Sequence, residues 1–290
     1  MKEIDKTIYR DAFNQYTRAF IKAAWNGSEF YPPLELKVCY ESFSNKKWKL
    51  TSLPGSVYSG WLDILMHEQD SRCCYCMRRL SNSEVSVEHL IPESFTNLDK
   101  DDEFAFYYEM VPGLSELVVD SGQIGRSLAA NPSDIDTVSG MPHLIAHSNL
   151  FAACNCHYGC SCNNHRGNNR ILPMMLMSGV DSWVKYEING KISILHDDIQ
   201  LVSDTLKHLD LNSKTLVIIR HLWYLFTKQN IQPNVNKRYT FPEKDNLIRT
   251  ALGLDVTEVI PEQYRCFLGT DVTDYYWNLL LAYDWFGRYY

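Results

Sequence analysis

No uncharged apolar run in this chain approaches the roughly 20 residues that a membrane-spanning helix needs. The longest candidate, ILPMMLMSGV (171–180), reaches about half of that length. The opening MKEIDKTIYRDAF carries no apolar stretch after its charges, so no secretory signal is expected. The protein is therefore read as cytoplasmic, with no membrane partner. Positive charge is short as well, since the formal net charge is −7. Phosphate neutralisation dominates nucleic-acid affinity, so such a chain would grip nucleic acid only through a local basic patch, a partner subunit, or both. Internal repeats and low-complexity linkers are absent too. What is present excludes disorder: 290 residues, 45% hydrophobic, with 18 tyrosines, can bury a full core.

Cysteine is abundant and unevenly placed. Nine cysteines are an odd number, which argues against a complete disulfide framework, and a cytoplasmic chain keeps its thiols reduced. Cys39 and Cys266 stand alone; isolated cysteines are usually small buried hydrophobes, and these two are assigned no role. The others fall in RCCYC (72–76) and in CNCHYGCSC (154–162), and clustered cytosolic cysteines read first as metal ligands.

Local patterns organise the rest. Tyr9, Phe13, Tyr16, Phe20 and Ala24 recur at helical spacing, with a stop at Asn26-Gly27. WLDILMHEQD (61–70) predicts a second helix leading into the first cysteine pair, and VSVEHLI a short strand ended by Pro92. VKYEINGKISIL predicts a hairpin with a two-residue type I′ turn at Asn189-Gly190. In LKHLDLNSKTLVIIRHLWYLF, Leu216, Ile219, Trp223 and Phe226 line one helix face, with Asn212 or Ser213 as its cap. The tail DYYWNLLLAYDWFGRYY is again helical, with aromatics on several faces.

Cys73-x-x-Cys76 alone is ambiguous between a zinc half-site, a redox dithiol and chance. It lacks the strand-then-helix context of a thioredoxin-like unit. A second half-site within 154–162 would close a four-thiolate zinc centre and staple segments that have no core of their own. Between the half-sites lies Glu88-His89, an adjacent acid and base whose side chains leave a regular strand on opposite sides.

The combination CCYC (73–76), EHLIP (88–92), NLFAAC (149–154) and CNNHRG (162–167) resembles the HNH, or ββα-metal, nuclease family in its zinc-stapled form. A helix with Trp61 before CCYC, the stretch NGKISIL and LKHLDLNSKTLVIIR look more narrowly like the HNH subunits associated with retrons and Septu-type anti-phage systems, in which the nuclease works beside an ATPase partner. The resemblance implies an α+β fold: a mainly helical protein around a ββα-metal core with a structural four-cysteine zinc site. It implies an N-terminal helical region at 1–66, a nuclease core at 67–176 with a long insertion at about 93–147, and a β-hairpin plus C-terminal helical region at 177–290. The implied activity is metal-dependent hydrolysis of nucleic-acid phosphodiesters. DNA is the default substrate, with RNA or tRNA open.

Carried over by position, His89 would be the general base that activates water. Glu88 and Asn163 would hold one Mg²⁺ or Mn²⁺, and Asn149 would organise the loop and orient His89. Arg166 and Arg170 would meet phosphate, and Arg72, Arg78 and Arg79 would add local positive charge. The expected zinc set is Cys73, Cys76, Cys154 and Cys162. Here the chain departs from the family's usual second CxxC, because Cys154 and Cys162 enclose Cys156, His157 and Cys160. Cys156 or Cys160 could substitute, and a second metal on Cys156, His157 and Cys160 is a weaker alternative. The insertion is longer than a compact core needs and could clamp substrate, dock a partner or form a lid. Blander readings hold for His143 and His147 as structural, for Asp99–Glu103 as a solvated loop, and for the C-terminal aromatics as packing. His165 is left between the two. The rival function is a zinc-stapled binding adaptor that does no chemistry.

Overall fold

The strand predicted at VSVEHLI forms over Val85–His89 (β1) and pairs antiparallel with Leu150–Cys154 (β2). In this computed structural model the described residues are 2–26, 57–92, 101–111, 114, 143–155, 162–195, 200–269 and 274–290, without the side chains of 20–26, 101–104 and 181. The register sets Val85 opposite Cys154, Glu88 opposite Phe151 and His89 opposite Leu150. All of β2 is buried, as a short continuous apolar run predicts, whereas β1 is buried only over Val87–His89. One edge of β2 is covered by Gln69, whose amide accepts from Ala152 N at 2.9 Å and donates to Ala152 O at 2.7 Å.

Gln69 closes the helix Trp61–Glu68 (α2), which follows Arg10–Asn26 (α1) and packs Trp61, Leu62, Ile64, Leu65 and Met66 inward. Phe13 of α1 meets the Trp61 ring edge-on at 6.0 Å. After α2, Asp70 and Ser71 take positive φ and turn the chain into the cysteine knuckle, where Cys73 N donates to Arg78 O at 2.8 Å. Asp101–Met110 (α3) lies in the insertion, so part of the acidic run expected to be a loop opens a helix instead. Asn163–Arg166 (α4) follows the second cysteine group and completes a strand–strand–helix order.

Val184–Tyr186 (β3) and Ile192–Ile194 (β4) make the second hairpin, but its turn differs from the sequence expectation. Gly190 N donates to Glu187 O at 2.8 Å, Glu187 N donates to Lys191 O, and only Gly190, at φ 83°, is left-handed. That is a three-residue loop with a glycine bulge, whereas a type I′ turn would need Asn189 at positive φ too. The fit against the next helices explains the choice. A Cβ on Gly190 would lie 1.9 Å from Val217 O, and Asn212 leaves its expected capping role to bond Ile192 N and O.

Helices Gln200–His208 (α5) and Lys214–Lys228 (α6) are separated by a break in which Asp210 has φ 47°. The predicted face of α6 is buried: Leu216, Ile219, Trp223 and Phe226, joined by Arg220. Phe241–Leu252 (α7) opens on a Thr240–Glu243 capping box. Glu262–Arg265 (α8), Tyr275–Ala282 (α9) and Phe286–Tyr289 (α10) follow, so the aromatic tail is two helices rather than one. It packs inward, with Trp223 Nε1 donating to Leu280 O at 2.9 Å. Buried residues from Ile4 to Phe286 share one core cluster, so the three sequence regions meet in common packing. Among the described residues, no helix is long and apolar enough to cross a membrane.

Candidate metal centre and adjoining polar edge

Four buried cysteines converge where the knuckle, the end of β2 and the start of α4 meet. Cys73, Cys76, Cys154 and Cys162 place their sulfurs within 4.8 Å of one another. Cys73 lies 3.8 Å from Cys162, and Cys76 lies 3.7 Å from Cys154. A tetrahedron with Zn–S bonds of about 2.3 Å has S···S edges of about 3.8 Å, so the set fits a zinc ion. These are the four cysteines expected from the sequence. Cys156, His157 and Cys160 lie outside the described residues.

The surroundings suit a cation. Burial would push the Cys73 thiol up, but hydrogen bonds with Cys154, Cys162, Cys74 and Cys76 more than reverse this, and it falls well below the usual thiol range. Cys162 is held well above that range by burial and by its bonds to the other sulfurs. Metal binding would release those protons. Cys162 also sits at φ 74° and ψ −136°, a backbone conformation that costs of order 1–3 kcal/mol. Its N–H donates to Leu209 O at 2.8 Å, and ligation of a metal would help offset the strain. From the tail, the Tyr283 hydroxyl donates to Cys76 Sγ at 3.3 Å.

The three expected basic residues of the knuckle are all ion-paired, but with two carboxylates between them. Asp284 accepts from Arg72 and from Arg79, and Arg78 meets Glu84 at 2.5 Å. No sequence pattern announces the tail's Tyr283 and Asp284 at this site, because they arrive from about 200 residues away.

The polar edge begins at the other end of β1. Glu88 and His89 leave the strand on opposite sides, as alternation requires. The Glu88 carboxylate is buried and accepts on Oε1 from Tyr75 Oη at 2.8 Å and from Arg166. Burial raises its pKa, and the Arg166 and Tyr75 contacts pull it back in part. Both of these bonds are to Oε1, and none from a described residue is to Oε2. Asn163 donates through Nδ2 to Ser86 Oγ and Val87 O, both at 3.2 Å, so it lies over the strand face that Ser86 shares with Glu88. Its Oδ1 has no partner among the described residues. Glu88 and Asn163 thus keep one oxygen each that could take a hard divalent cation.

His89 is 8% exposed and turns toward the segment before β2, where Nε2 lies 3.0 Å from Leu144 O. A carbonyl only accepts, so Nε2 carries the proton and Nδ1 is the basic nitrogen. Burial lowers the His89 pKa to about 4, which keeps the ring neutral. Asn149 accepts from Ile91 N at 2.7 Å and donates to Ile91 O and to His143 O. It fixes the two segments on either side of His89 and acts on the ring through them.

Arg166 is not on the surface. It is 1% exposed, and its guanidinium serves Glu88, His89 O, Leu90 O, Tyr75, Tyr107 and Asn169 O. The sequence expectation of a phosphate contact gives way to an internal strut, because every nitrogen of the fork already has protein acceptors. Arg170 is exposed, with its guanidinium 4.7 Å from the Phe106 ring centre. Tyr75 and Tyr107 were missed as site residues. Tyr75 was visible within CCYC, whereas Tyr107 comes from the insertion and carries no motif.

His143 is buried and its pKa is lowered to about 4 by burial. His147 faces Glu68 at 2.9 Å beside Lys6, which lies 2.5 Å from the same carboxylate. His165 is on the outside, its Nδ1 at 3.1 Å from His208 O. No family model matches the chain, and neither the curated proteins nor the solved structures contain a match to it.

Proposed function

We propose that this chain is a zinc-stapled HNH endonuclease, the effector of a prokaryotic anti-phage system that works with an ATPase partner. The observation that carries the reading is the strand–strand–helix order, which sets a four-cysteine cluster at one end (knuckle, end of β2, start of α4) and the Glu88, His89, Asn149 and Asn163 edge along β1, the turn before β2 and α4. Zinc on the four cysteines would staple the knuckle to β2 and α4 and take no part in chemistry. His89 Nδ1 would accept the proton of the attacking water. Glu88 Oε2 and Asn163 Oδ1 would hold Mg²⁺ or Mn²⁺, which when bound supplies charge stabilisation at the scissile phosphate. Arg166 would keep Glu88 ionised from the Oε1 side, and Arg170 is the basic residue still placed to meet a phosphate. Since Glu88 is 3% and His89 8% exposed, a phosphodiester reaches them only when the edge opens. That fits a nuclease restrained until a partner acts.

The sealing of Glu88 by Arg166 also favours a second reading, an adaptor that keeps the fold and binds nucleic acid or protein without chemistry. Incubation with DNA and with total RNA, in Mg²⁺ or Mn²⁺ against EDTA, tests the choice. Cation-dependent cutting is expected; its absence even beside the proposed ATPase partner would favour the adaptor.

A further inference from the structure

Away from the polar edge, a groove of about 860 Å³ opens between the cysteine knuckle, the loop before α7 and the first turns of α9. Arg79, Asn236, Lys237, Arg238, Tyr275 and Asn278 line it. Asn236, Lys237, Arg238 and Asn278 are exposed, and Arg79 and Tyr275 are partly so. The charges around this groove do not cancel. Arg72 and Arg79 share one carboxylate, Asp284; Lys244 neutralises Asp274; and Lys237 meets Glu243 at 2.7 Å across solvent. Arg238 has no ion pair among the described residues. Around this wall five cationic side chains meet three carboxylates, in a chain whose formal charge is −7.

We infer that this groove binds the sugar–phosphate backbone of nucleic acid, as an exosite that holds substrate while the His89 edge acts on it. The inference takes its ligand class from the nuclease reading above. The groove's own chemistry agrees. Lysine and arginine neutralise phosphates, the two asparagine amides can donate to phosphate or base edges, and Tyr275 offers a partly exposed ring. Arg79 N donates to Ala282 O at 2.7 Å, so the groove wall is tied to the zinc end of the hairpin. From Val85, beside that end, to His89 the strand runs four residue steps, about 13 Å. A strand several nucleotides long is needed to touch both places. The groove supplies the local basic patch that an acidic nuclease requires.

The test measures binding of a fluorescein-labelled 30-nucleotide DNA, single-stranded and duplex, in EDTA over a range of salt. It compares the wild type with the Lys237→Gln, Arg238→Gln double variant. Both residues are exposed, so the fold should persist, and circular dichroism with bound-zinc analysis checks this. The variant should lose about tenfold in affinity, and its log–log salt slope should fall by about 2. Unchanged affinity and slope, or no binding by the wild type, would overturn the proposal. A variant that loses affinity for polyglutamate but not for DNA would also overturn it, and would mark the groove as a dock for an acidic protein. Hydrolysis of bis(4-nitrophenyl) phosphate, too small to span both places, reports on the His89 edge alone. Its absence with the proposed ATPase partner present would count against the nuclease reading, while the binding comparison decides the groove.

Discussion

Replacing Arg166 with methionine separates an internal strut from a phosphate contact. The substitution keeps an unbranched apolar stem but removes the charge beside Glu88, whose carboxylate is 3% exposed and would be left without its cation. Breaking a buried pair by deleting one partner costs about 3–5 kcal/mol. The carbonyls of His89, Leu90 and Asn169 lose donors as well, at about 1 kcal/mol or more each where no water replaces them. Such losses overlap, so a total of about 4–6 kcal/mol is expected, a large part of a domain's stability. Urea unfolding at neutral pH measures it, with bound zinc assayed in parallel. Adding Glu88→Gln should recover about 2 kcal/mol or more, because the stranded carboxylate is gone. If Arg166→Met stays within 1 kcal/mol of wild type while nucleic-acid affinity drops tenfold, the strut assignment fails.

Three further outcomes follow from the geometry. Gly190→Ala puts a Cβ against Val217 O at a residue with φ 83°, so it should destabilise by about 2–4 kcal/mol in urea unfolding; a change under 0.5 kcal/mol would contradict the close approach. Tyr283→Phe removes the hydroxyl that donates to Cys76, a charge-assisted bond of roughly 1.5 kcal/mol once the thiolate is metal-bound, and zinc transfer to a chromogenic chelator should speed up about tenfold. An unchanged transfer rate would deny Tyr283 a role at the zinc. Acid should destabilise the fold: His143 titrates near 6.5 unfolded and about 4 folded, so its neutral form contributes stability above pH 6.5 that is lost as pH falls toward 4, up to about 3 kcal/mol. His89 acts in the same sense and Glu88, raised by burial, in the opposite one, so His143→Gln should flatten the pH 6.5–4 slope; an unaltered slope would remove His143 from the cause.

The cysteine set was legible because ligand chemistry is written in residue type and spacing. Cys162 precedes Asn163 as the motif requires, and its sulfur falls beside that of Cys73. Strand β1 was legible in the short run VSVEHLI ended by Pro92, and α1 and α6 in their apolar stripes, whereas β2 was implied only by the ββα resemblance. What stayed hidden was long-range. Nothing near Arg166 says that Glu88, Tyr75 and Tyr107 will enclose it, and a basic residue in a polar helix reads as a surface contact until its acceptors are known. The Asn189-Gly190 turn was misread for a related reason. The dipeptide favours a type I′ turn locally, but the packing of Gly190 against Val217 O selects the bulged loop.

If zinc holds the fold while the His89 edge cuts, wild type and His89→Ala will differ in cleavage and agree in zinc content. Both proteins are assayed for cleavage of DNA and total RNA in Mn²⁺ or Mg²⁺, with the proposed ATPase partner present and bound zinc measured on the same samples. One zinc per chain is expected in both proteins, with loss of cutting in the variant. Equal cutting by both, or none by either, would contradict this.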